Sequence, residues 1–154
     1  MELSDILKPE AVKAVSSVSS KKRLFQEIAE LARGVYGLDG AQAIDAMMER
    51  ESLGPTGVGN GVALPHARLA DLERVAGVFL LLDRPVEFGA VDRQPVDIAF
   101  ALFAPQDAGV DHLKALALVS RTLRDASLRT KLRANPDPSK LYTMLTEAHP
   151  VQAA

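Results

Sequence analysis

The chain has 154 residues, 47% hydrophobic and 25% charged, which is the length of one domain and the balance of a globule that buries a core. Its 18 basic and 20 acidic residues leave a formal net charge of -2, and without a basic block the footprint of a nucleic-acid binder is missing. It contains no cysteine, which excludes disulfides, thiolate nucleophiles and Cys-ligated zinc and fits a reducing compartment.

The opening MELSDILKPEAVKAV has no basic region followed by a sustained apolar one, and nothing later approaches the ~20 apolar residues of a spanning helix. A cytoplasmic protein without membrane insertion is expected. Residues 3–18 show no strong period and read as a short helical turn followed by an edge strand, with Pro9 as a breaker. Ser19 or Ser20 then caps a helix in which Leu24, Ile28, Leu31 and Val35 recur at helical spacing, ended by Gly37. A second helix starts near Gly40, places Ala43, Ile44, Met47 and Met48 on its apolar side, carries Arg50 near its end and stops at Gly54-Pro55.

Four glycines fall within residues 54–61, and Asn60-Gly61 is a tight-turn signal. A short apolar strand from Val62 to His66 follows directly. Arg74–Asp83 and Val96–Pro105 are nearly continuous apolar runs, the pattern of buried central strands. Asp111-His112 opens a third helix, with Leu113, Leu116, Ala117, Ser120 and Leu123 on one face. A short helix after Ser127 ends at Asn135-Pro136, and Ser139 caps a last one through Glu147. Helices precede, separate and follow the strands without a repeat or linker. The expected fold is a single α/β (α+β) domain over residues 1–154, a mixed β-sheet sandwiched between helices.

His66 is the principal candidate for chemistry. It follows Pro65 and a glycine loop whose backbone N–H groups can converge on a point, a concavity that binds phosphate. A plain hairpin loop with a strand-end histidine is the alternative, and composition leaves both open. The loop is not a nucleotide motif, because a P-loop needs Lys and Ser/Thr after its last glycine and leads into a helix. The dinucleotide fingerprint fails on the same topology. His112 sits at a predicted helix start, where the dipole favours neutral imidazole, although alone it also reads as a solvated first-turn residue. Arg50 offers a planar fork of donors suited to a phosphoryl group, or else compensates its helix's C-terminal dipole. His149 reads as a surface residue. With no H-E-x-x-H, no i,i+4 histidine pair and no G-x-S-x-G, neither a metal site nor a serine hydrolase is expected.

The segment RESLGPTGVGNGVALPHAR, Arg50 to Arg68, resembles the active-site segment of phosphotransferase-system IIA domains of the fructose/mannitol type. DHLKALALVSRTLRD, Asp111 to Asp125, resembles that family's second signature, a helix carrying a second active-site histidine. The two stand in the expected order, and the resemblance covers essentially the whole chain. The free-standing domain, the opening LSDILKPEAV and the string TGVGNGVALPHAR are most like the nitrogen-regulatory branch. Ala67-Arg68 stands where many of those relatives carry Gly-Lys, and Pro55 where a small polar residue is common.

The resemblance implies a phosphoryl carrier that forms a phosphohistidine at Nε2 of His66. The donor would be an HPr-like protein charged ultimately from phosphoenolpyruvate. Arg50 and His112 match positions that contact the phosphoryl group, and Thr56, Gly57, Gly59, Asn60 and Gly61 are the expected phosphate-binding residues of the loop. No cofactor is implied. The downstream partner would be a regulatory target protein or, in the alternative sugar-specific reading, a IIB domain. Transfer between two imidazoles needs neutral His66 with its other ring nitrogen held by an acceptor, expected to be a backbone carbonyl. A shallow apolar patch around His66 is expected to receive the partner in a small transient interface.

Overall fold

The computed structural model describes residues 1–148, so His149 lies outside the described residues. A single turn, α1 (Leu3–Ile6), leads into β1 (Leu7–Val15); α2 (Lys21–Tyr36) and α3 (Gly40–Ser52) follow. Next come three short strands, β2 (Gly57–Gly59), β3 (Val62–Ala63) and β4 (His66–Leu69), and two long ones, β5 (Ala76–Val86) and β6 (Val96–Pro105). Three helices close the described chain: α4 (Val110–Leu123), α5 (Ala126–Ala134) and α6 (Pro138–Thr146).

The strands form one six-stranded sheet in the order β1-β5-β6-β3-β2, with β4 also paired to β6. The sheet is mixed: β1 runs parallel to β5, β5 antiparallel to β6, and both β3 and β4 parallel to β6. Phe79, Leu80, Ile98, Phe100 and Phe103 are fully buried, and burial is unbroken from Ala76 to Leu82 in β5 and from Ile98 to Ala104 in β6. Only a sheet covered on both faces produces that pattern. The covers are α2, which packs on β1 and β5 with α3 against it, and the chain of α4, α5 and α6, which reaches β6, β5 and β1 in turn.

Local chemistry accounts for the element ends. Ser20 accepts from the Arg23 N–H at 3.1 Å, and Gly37 closes α2 in the left-handed region at φ 71. Asp125 caps α5, accepting from the Ser127 and Leu128 N–H groups, and Asp137 caps α6 in place of the expected Ser139, whose N–H it accepts. Pro9 does not break the first strand. It lies inside β1, where a register shift between Leu7 and Val12 and an edge position tolerate the missing N–H.

Two further expectations need correction. His66 does not end a strand running from Val62; it begins β4, since Leu64 and Pro65 interrupt the ladder between β3 and β4. A proline has no N–H to give the ladder, and the interruption leaves the Leu64 carbonyl free to turn aside. The inward face of α4 is also rotated from the expected one: His112, Ala115, Leu118, Val119, Thr122 and Leu123 are buried, whereas Leu113 is 64% exposed.

Gly77 pairs with Leu7 across β1 and β5. A Cβ there would lie 2.8 Å from Phe100 Cε1 and 3.1 Å from the Ile6 carbonyl oxygen. Gly77→Ala is therefore expected to cost about 1–3 kcal/mol of stability, read as a lower urea midpoint at unchanged m-value. An unchanged midpoint would show that Phe100 gives way freely.

Candidate active site

The packing of α3 on β4 brings the last turn of one to the first residue of the other. Arg50 Nε lies 3.2 Å from His66 Nε2, and Arg50 Nη1 donates to the Gly54 carbonyl at 3.0 Å. On the other side of the ring, His66 Nδ1 lies 2.9 Å from the Leu64 carbonyl oxygen. A guanidinium nitrogen only donates and a carbonyl only accepts. Both contacts are satisfied by one state of the ring, with the proton on Nδ1 and the lone pair on Nε2. Burial holds the His66 pKa below its ordinary value and the Arg50 charge adds to the effect, partly offset by the Leu64 bond and by Glu51.

His112 comes from the first turn of α4 and is only 5% exposed, so it is not the solvated residue that its position alone allowed. Its ring meets that of His66 edge to face, with centroids 5.6 Å apart and planes at 66°. Among the described residues its two ring nitrogens are the buried side-chain polar atoms with no hydrogen-bond partner. Such a group carries a desolvation cost until a partner arrives. Burial again lowers its pKa, followed by the proximity of His66 and Arg68. Arg50, His66 and His112 thus meet in one place, from α3, β4 and α4.

The glycine segment does not join them as expected. Residues 57–63 form an antiparallel hairpin, β2 against β3, with Gly57 opposite Ala63 and Gly59 opposite Val62. The Gly61 carbonyl accepts from the N–H groups of Asp97 and Ile98, both at 3.0 Å, whereas His66 is registered with Leu102. The hairpin tip is therefore four residues back along β6, roughly 13 Å at ~3.3 Å per residue. The Asn60 N–H donates to Asp92 Oδ2 at 3.0 Å, a carboxylate that would repel phosphate, and the Asn60 carbonyl accepts from Arg133 at 2.6 Å. The glycines here answer close packing instead: a Cβ on Gly57 would lie 2.6 Å from that of Ala90, and one on Gly61 2.5 Å from Arg133 Nη2.

Thr56, the remaining loop residue, is buried with its donors occupied. Its N–H reaches Glu51 Oε1 and Oε2 at 3.1 and 3.3 Å, and its hydroxyl reaches Oε2 at 2.6 Å. Sequence reasoning missed Glu51, which adjoins Arg50 but whose fold-back over Gly54-Pro55 no periodicity reveals. It also left the ring-holding carbonyl unidentified; that group belongs to Leu64. Arg68, placed one alternation beyond His66 on β4 and anchored to the Gln106 carbonyl at 2.9 Å, is a further cation beside His112. No group of acidic, histidine or cysteine side chains among the described residues is arranged to hold a metal ion.

This fold and this pairing of histidines can be set against known proteins. The family model for the phosphoenolpyruvate-dependent sugar phosphotransferase system, EIIA 2, matches residues 5–148, and the chain belongs to that family. Within it, the nitrogen regulatory protein of Bradyrhizobium diazoefficiens is 45% identical over 145 residues, 94% of this chain and 95% of that protein. The crystal structure of nitrogen regulatory protein IIA-Ntr from Neisseria meningitidis aligns with a TM-score of 0.87 at 33% identity, covering 94% of this chain and 99% of that one. The IIA mannitol structure from Escherichia coli shares the fold, with a TM-score of 0.76 at 20% identity over 90% of this chain and 97% of that one. No helix among the described residues is long and apolar enough to cross a membrane.

The depressed histidines make stability depend on pH. Unfolding returns each ring to its ordinary value near 6.5, so just below that pH the unfolded chain binds more protons than the folded one. Stability then rises with pH through the window beneath about 6.5 and levels off above it. Urea midpoints of the wild type are expected to fall between about pH 7 and pH 5.5, and less steeply in His112→Leu, which lacks one of the two rings. Equal slopes would mean that burial does not perturb His112.

Proposed function

We propose that this protein, as one IIA domain through its length, is a cytoplasmic phosphoryl carrier of the nitrogen-regulatory branch that takes a phosphoryl group onto Nε2 of His66 from an HPr-like donor. Its phosphorylation state then governs a regulatory target protein. The observation that carries this reading is the hold on the His66 ring: Nδ1–H is committed to the Leu64 carbonyl, so the nucleophilic lone pair is on Nε2. Identity to nitrogen regulatory proteins, well above that to the mannitol IIA structure, supports the regulatory branch over a sugar-specific component serving a IIB domain.

The chemistry needs only positioning and charge. The Nε2 lone pair attacks phosphorus in line; the new N–P bond forms as the bond to the donor's ring nitrogen breaks, and its electron pair returns to that ring. Positive charge developing on His66 is shared through Nδ1–H with the Leu64 carbonyl. The guanidinium of Arg50 leaves the lone pair and turns its donors to the phosphoryl oxygens, its Gly54 contact serving as a pivot. His112, neutral at pH 7, gains an acceptor for its unpartnered N–H. Leu53, Val110 and Leu113 are 81%, 62% and 64% exposed on the segments carrying Arg50 and His112, an apolar rim fit for a transient partner. Nearly two added negative charges would change what that rim binds.

The test supplies enzyme I, an HPr-like carrier and labelled phosphoenolpyruvate, and follows label per chain over time. Wild type is expected to take up one acid-labile, alkali-stable label, and His66→Ala none. His112→Ala is expected to reach the same stoichiometry on the order of 100-fold more slowly, and Arg50→Lys to be slowed because one charge survives without the planar fork. Label on His66→Ala would overturn the assignment.

A further inference from the structure

One buried charge beside these residues has no role in the transfer just described. The Glu51 side chain is 6% exposed and binds Lys21 Nζ at 2.8 Å as well as the Thr56 N–H and hydroxyl. These bonds span the turn between α3 and β2. Inside that turn the Gly54 carbonyl anchors Arg50 at 3.0 Å. Beyond it, the Thr56 carbonyl accepts from the Leu64 N–H at 2.9 Å, and the Leu64 carbonyl accepts from His66 Nδ1–H. Thr56 is thus tied to both halves of the site, and Glu51 is what ties it down.

We propose that Glu51 is a positioning residue for phosphoryl transfer: by clamping Thr56 it fixes the Arg50 guanidinium against Nε2 of His66 and keeps the imidazole in its Nδ1–H form. The consequence for rate rests on the carrier reading above, whereas the form of the ring is a property of the resting protein. A buried carboxylate is costly unless its oxygens are fully engaged, and here both are spent on the turn rather than on the imidazole.

A purely electrostatic role for Glu51 has the opposite signature. The charged and titratable groups near the His66 ring are Arg50 and Glu51 of α3 and His112 of α4, with Arg68 of β4 beyond His112. Glu51 raises the proton affinity of His66 through space, so deleting its charge alone lowers that affinity further. Releasing the clamp lets Arg50 withdraw and water enter, and both raise it.

The experiment follows the His66 ring nitrogens by long-range proton–nitrogen NMR through a pH titration of the unphosphorylated wild type, Glu51→Gln and Glu51→Ala. Uptake rates from an HPr-like donor are measured in parallel. Glu51→Ala is expected to mix the two tautomers, move the His66 titration upward and slow uptake on the order of 100-fold, the scale of a small misplacement. Glu51→Gln retains an oxygen for the Thr56 N–H and an amide for its hydroxyl, so it is expected to restore the Nδ1–H form and most of the rate. Should Glu51→Ala not fold, Thr56→Val removes the hydroxyl bond alone and is expected to shift the ring in the same direction by less. A folded Glu51→Ala or Thr56→Val whose ring remains wholly Nδ1–H, with its titration unmoved or lowered, overturns the positioning role. A tautomer shift in a chain whose wild type accepts no label would uphold the Glu51 clamp on the resting ring and overturn the carrier reading, and with it the effect on transfer.

Discussion

The hydrogen bond between His66 Nδ1 and the Leu64 carbonyl is the constraint on which the rest depends. It exists because Pro65 interrupts the ladder: β3 stops at Ala63, β4 starts at His66, and the carbonyl between them is released from the sheet. Both short strands are nevertheless registered on the buried strand β6, Ala63 with Ala99 and His66 with Leu102. The ring is therefore placed against a buried central strand, while its orientation is set by a local break between two short strands.

Electrostatically the site gathers positive groups without containing a conventional anion cradle. Burial keeps both imidazoles below their usual proton affinity, so neither adds fixed charge, and Arg50 and Arg68 supply the positive groups. The negative charge of Glu51 is taken up by Lys21 and Thr56. Among the described residues what remains unsatisfied is His112, whose ring nitrogens have no partner. A phosphoryl group on His66 would meet donors whose desolvation had already been borne in folding, which is the physical content of preorganisation.

Much of this was legible in the sequence, and unevenly. The amphipathic period of α2, its Ser20 and Gly37 ends, and the continuous apolar runs of β5 and β6 report burial directly, and the fold class followed from them. The resemblance of residues 50–68 and 111–125 singled out Arg50, His66 and His112, which converge. The glycine segment misled because glycine is needed equally for an anion-binding loop and for backbones that approach closely, and here Gly57 against Ala90 and Gly61 against Arg133 are the second case. The Glu51 clamp was illegible since it depends on how a Gly-Pro turn folds back, a tertiary fact with no period. The buried face of α4 was misread because leucine at position 113 is a stronger apolar signal than histidine at 112, yet the histidine is the residue turned inward.

On the carrier reading proposed above, Nε2 is the nitrogen of His66 left for a phosphoryl group, because Nδ1 is committed to Leu64. The direct measurement is nitrogen–phosphorus coupling by NMR on the phosphorylated protein with 15N-labelled histidine rings. Phosphorus bonded to Nε2 of His66, with Nδ1 still protonated, is the predicted result. Phosphorus on Nδ1 of His66, or on either nitrogen of His112, would contradict it.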